Sequence, residues 1–74
     1  MSGVEEAKGM IRSLIQSMNG GVGFALPRGW EFTLIGKISR EDLEQAVQDL
    51  TTAGYLDADG ALTQQGMDGW LSGG

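Results

Sequence analysis

Ile38-Ser39-Arg40-Glu41-Asp42-Leu43 and, further on, Leu50-Thr51-Thr52-Ala53-Gly54-Tyr55-Leu56 mark the two ends of one helix, and the reading of the chain turns on them. Ser39 can accept from the first free amides, with Asp42 at the third helical position. Ile38 before the cap can clasp Leu43 as a hydrophobic staple. Leu43, Ala46, Val47, Leu50 and Ala53 then fall in one sector, with Glu41, Glu44, Gln45, Gln48, Asp49, Thr51 and Thr52 opposite. Gly54 stands where a left-handed residue ends a helix, and Tyr55 can fold back on Leu50. Residues 39–53 therefore read as an amphipathic helix with one buried and one wet face.

Upstream, Ser2 with Glu5 makes a capping box. Val4, Ala7, Met10, Ile11, Leu14, Ile15 and Met18 recur at helical spacing until Asn19-Gly20-Gly21, which predicts a first helix over 3–19. Gly9 inside it costs roughly 1 kcal/mol against Ala, through a weaker helix or a neighbour packed close to the backbone. Residues 20–38 are ambiguous. Val22, Phe24 and Leu26 alternate as in a short strand ending at Pro27, whereas Trp30, Leu34 and Ile38 have helical spacing and Trp30, Phe32 and Leu34 alternate. Downstream, residues 55–63 read as two very short strands around the turn Asp57-Ala58-Asp59-Gly60. The tail, 64–74, has Trp70 and Leu71 to pin it as a short imperfect helix or an ordered coil. Trp30, Phe24, Phe32 and Trp70 are assigned to the core, with Met10 and Met18 as filler. The fold class expected is mainly α with a small β-hairpin (α+β), in a single domain.

The run Leu34-Ile35-Gly36-Lys37-Ile38-Ser39, the Leu-x-x-x-Gly-Tyr-Leu pattern ending at Leu56, and Leu62-Thr63-Gln64-Gln65-Gly66 together resemble a winged helix-turn-helix domain. The resemblance covers about residues 34–66. It implies three helices plus a short wing: helix two at about 30–36, after a linker or short strand at 20–29, helix three at 39–53, and the wing hairpin at 55–63. It also implies a DNA-reading surface on helix three and the wing.

Charge argues against that use. Of 74 residues, five are basic and ten acidic, for a net charge of −5. Residues 1–40 hold every base (Lys8, Arg12, Arg28, Lys37, Arg40) and three acids (Glu5, Glu6, Glu31), a net of +2. Residues 41–74 hold seven acids and no base, a net of −7. Affinity for nucleic acid depends on neutralising phosphates, so an acidic helix three and wing work against the family's docking. The reading is thus an acidic, non-catalytic interaction module whose partner is a protein, itself basic or nucleic-acid-binding. Its docking surface would be Glu41, Glu44, Gln45, Gln48 and Asp49, unless these form a merely solvated face. The alternative is a DNA-binding regulator that uses Arg28, Lys37 and Arg40.

The chain contains no cysteine and no histidine, which removes Cys/His zinc sites, thiol chemistry and the Ser-His-acid triad. Asp57-Ala58-Asp59-Gly60 begins like a calcium loop, but Ala61 and Leu62 then stand where a ligand and a glycine are needed. Gly20-Gly21-Val22-Gly23 lacks the Gly-Lys ending of a phosphate loop. No metal, no cofactor and no catalysis are expected. Acids at Glu5 and Glu6 where a secretory segment carries bases, and the absence of a long apolar run, point to a soluble chain without membrane contact, with the cytoplasm as the default compartment.

Overall fold

The computed structural model describes residues 3–72. Helix α1 spans Gly3–Ser17, α2 Arg40–Thr52 and α3 Gln64–Gly66. A 3-10 turn at Trp30–Thr33 lies between α1 and α2, and α3 runs directly into a π-type turn at Met67–Leu71. The radius of gyration of 11.1 Å matches the roughly 11 Å of a close-packed domain of this length. Among the described residues, no helix is long and apolar enough to cross a membrane.

Helix α1 buries Ala7, Ile11 and Ile15, spaced four residues apart, against Leu43, Ala46 and Leu50 of α2. Leu34, Ile38, Leu56, Leu62 and Leu71 close the core around them. Burying each such leucine is worth about 1.5–3 kcal/mol, so α1 and α2 carry much of the stability. The first helix ends at Ser17 rather than 19, where Gly20 N donates to Ile15 O (2.9 Å) and Asn19 takes φ 54°. The capping box on Ser2 lies outside the described residues. Gly9 is exposed and a β-carbon there would meet nothing, so no close neighbour requires it.

The α2 caps agree with their sequence signals. Asp42 N donates to Ser39 Oγ (3.2 Å), and Ile38 and Leu43 are both buried. At the other end Tyr55 N donates to Leu50 O (2.9 Å) and Gly54 N to Thr51 O (3.1 Å), with Gly54 at φ 86°. This is a Schellman motif. Within the expected buried sector, Val47 is half-buried and Ala53 is exposed.

The expected β-hairpin is not formed: among the described residues there are no strands, only isolated antiparallel bridges at Leu56–Leu62 and Ala25–Ala61. The α+β class and the wing at 55–63 therefore give way to a mainly helical fold. The cause is competition for amides. Asp57 N donates to Ala61 O (2.9 Å), but the Ala61 and Asp59 amides both donate to the Asp57 carboxylate (2.9 and 2.8 Å). Tyr55 N is already committed to the α2 cap. A ladder thus cannot extend either way from the Leu56–Leu62 rung. The short strand expected at 22–26 likewise reduces to the Ala25–Ala61 bridge, with Leu62 N donating to Phe24 O (2.9 Å).

Helix two, expected over 30–36, is a 3-10 turn instead. The Thr33 hydroxyl donates to Trp30 O (2.7 Å), the carbonyl that an α-helix would offer to Leu34 N. Leu34 and Ile35 both donate to Glu31 O, and Lys37 and Ile38 both donate to Leu34 O. Shared acceptors tighten each turn and prevent a regular ladder. Trp30 stays half-buried and Leu34 and Ile38 are buried, so their helical spacing describes the inward side. Phe32, two residues along a threefold turn from Trp30, is 74% exposed and does not belong to the core. Met18 is exposed as well.

The tail is ordered through Leu71. Trp70 stacks on Tyr55 with ring centroids 6.1 Å apart and planes 5° from parallel. Arg12 donates to Trp70 O (3.1 Å) and Leu71 O (3.1 and 3.2 Å), and Gln16 Nε2 also donates to Leu71 O (3.1 Å). A cation is well placed at such free terminal carbonyls.

Candidate functional site

At α-helical spacing the polar residues of α2 separate into distinct directions. Asp42 and Asp49 flank α1. Glu41, Gln45 and Gln48 face outward, and Arg40, Glu44 and Val47 look toward the 3-10 turn.

The α1 flank is held internally. Lys8 Nζ lies 3.1 Å from Glu5 Oε2 and 3.4 Å from Asp49 Oδ2, tying the two helices together. The hydrogen bond to Glu5 is the main cause that raises the Lys8 pKa above the ordinary 10.5; burial opposes it and Asp49 adds to it. Gln45 Nε2 donates to Asp49 Oδ1 (2.8 Å). A β-carbon at Gly3 would collide with the Asp42 carboxylate, so that acid sits against the positive end of α1. Of the five residues proposed as a docking surface, Gln45 and Asp49 are therefore engaged within the fold. Glu41, Glu44 and Gln48 are exposed and make no ion pair among the described residues.

The opposite flank is open. Trp30 and Glu31 of the 3-10 turn face Arg40, Leu43, Glu44 and Val47 of α2 across a groove of about 400 Å³. Its lining combines the apolar side chains of Trp30, Leu43 and Val47 with two carboxylates and one guanidinium. Trp30 and Val47 also line a smaller, deeper hollow of about 120 Å³ with Ile11, Ile15, Leu26 and Leu56. The groove meets the size of ligand sites, yet it lies open along the surface.

The three bases of the DNA reading do not line a common groove. Arg40 lines the groove, whereas Lys37 edges a separate shallow hollow with Met10, Leu14 and Leu34. Arg28, exposed in the turn before Trp30, borders neither. All three are exposed and without an ion pair among the described residues.

Compared with protein-family models, curated proteins and solved structures, the chain matches none. Sequence reasoning found Glu44 and Arg40 but missed that they share a groove with Trp30, Glu31 and Val47. The spacing of Arg40, Glu44 and Val47 along one side of α2 was available as a signal. The facing wall was not, because it depends on how residues 30–33 turn. Among the described residues, no group of His, Cys, Asp or Glu is arranged to hold a metal ion.

Proposed function

We propose that this chain is a small non-catalytic interaction module, acting in the cytoplasm, whose acidic α2 surface binds a basic protein partner. A protein whose basic site otherwise holds nucleic acid fits that description. The observation that carries the reading is that Glu41 and Glu44 stand exposed and, among the described residues, make no ion pair, while Lys8 and Arg12 are committed to internal contacts. Unneutralised negative charge on one rigid helix speeds encounter with a positive partner and disfavours phosphate. Three bases, Arg28, Lys37 and Arg40, against the seven acids of residues 41–74 weigh against a nucleic-acid surface on the same grounds.

Reversing charge with Glu41→Lys and Glu44→Lys tests this. Proteins recovered from an extract of the native host by the unaltered chain should be lost by the double variant, and their capture should weaken as salt rises. Recovery that is unchanged by the reversal discards the proposal. Duplex DNA titrated at about 50 mM and about 200 mM salt should give no binding. A complex that forms at low salt and falls away steeply would establish the DNA-binding regulator instead.

A further inference from the structure

We infer that the groove between the 3-10 turn and α2 receives an arginine or lysine side chain from an otherwise apolar segment of the partner, an inference that rests on the acidic-module reading above. Trp30 lines the groove, and the face of an indole is the side-chain surface that best attracts a cation. Leu43 and Val47 form an apolar bed for the aliphatic stem of a long basic side chain. Glu31 and Glu44 come from opposite walls, so a cationic head between them gains an acceptor on each side.

The groove's own base does not satisfy these acids. Arg40 precedes Glu44 by one helical turn, yet no ion pair joins them or links Arg40 to Glu31. With two acids against one base in the lining, the site retains negative charge beside apolar side chains. That combination suits a mixed basic and apolar segment better than a purely polar one. The outer acids, Glu41 above all, then attract the partner without touching the inserted side chain.

The probe is a synthetic peptide alternating arginine and leucine, with a glutamate-for-arginine counterpart as control, followed by amide NMR and by affinity measurement. The expected result is shifts centred on the Trp30 indole and the Leu43, Glu44 and Val47 amides, absent with the control peptide. Glu44→Gln should weaken binding about fivefold, Glu41→Gln by less than about twofold, and Arg40→Gln should tighten it. Equal losses for Glu41→Gln and Glu44→Gln, with shifts spread along the outer face, would overturn the groove while leaving the acidic module standing. No binding of the arginine peptide even at low salt would overturn both.

Discussion

The two ends of α2 are held in different ways. At its C-terminal end, residues 53–66 form a joint closed by side-chain hydrogen bonds to the main chain. The Thr63 hydroxyl accepts from Gly66 N (2.9 Å) and donates to the Gly54 carbonyl, while Gln65 Nε2 donates to Ala53 O (2.8 Å). At its N-terminal end, residues 20–38 are tight turns that place Trp30, Leu34 and Ile38 against the core. They leave Val22 and Phe32 in solvent and the groove unfilled. The joint fixes where α2 lies; the looser side leaves an open groove along it.

The most damaging way to break this contrast is at Gly66. A β-carbon there would run into the Tyr55 carbonyl and press on Leu62 Cδ1, and main chain cannot move aside cheaply. Gly66→Ala should cost about 3 kcal/mol even after its gain in helix propensity. In a domain of this size that is a fall in Tm of roughly 15 °C by thermal unfolding. An unchanged Tm would mean that the joint is not packed as described.

Thr63→Val keeps the shape of the side chain and removes its hydroxyl. The Gly66 amide and the Gly54 carbonyl then lose their shared partner, and the expected cost is about 1–2 kcal/mol in denaturant unfolding. A loss below about 0.5 kcal/mol would show that water replaces the hydroxyl and that the joint is wetter than its half-buried Thr63 indicates.

The same contrast explains what could be read from the sequence. Both α2 caps, the inward sector of α1 and the stop of α1 just before Asn19-Gly20 are decided by residues a few positions apart, so Ser39, Gly54 and Asn19-Gly20 announce them. The Leu62-Thr63-Gln64-Gln65-Gly66 pattern was legible as a fixed motif, but what it fixes is the start of α3 on the end of α2, not a wing. The hairpin failed because two amides had better offers, from the Asp57 carboxylate and the Leu50 carbonyl. Alternation alone does not weigh such offers. The groove was half legible: Glu44 and Arg40 lie on a helix of known phase, while Trp30 and Glu31 depend on the choice between α and 3-10 geometry. That choice rests on the single hydroxyl of Thr33 and on shared carbonyls.

The smallest expected effect is at Phe32, and it sharpens the comparison from the loose side. Composition alone argues for burying this residue, since large apolar side chains are scarce in the chain. The threefold turn instead points it outward at 74% exposure, with Gly29 beside its ring. If the turn is held from beneath by Trp30, Leu34 and Ile38, Phe32→Ser should change stability by less than about 0.5 kcal/mol in denaturant unfolding. A loss of about 3 kcal/mol, the scale of a core phenylalanine, would mean that the ring is covered and that residues 30–33 follow the alternating pattern. The Trp30 wall of the groove would then have to be abandoned with it, because both positions are set by the same turn.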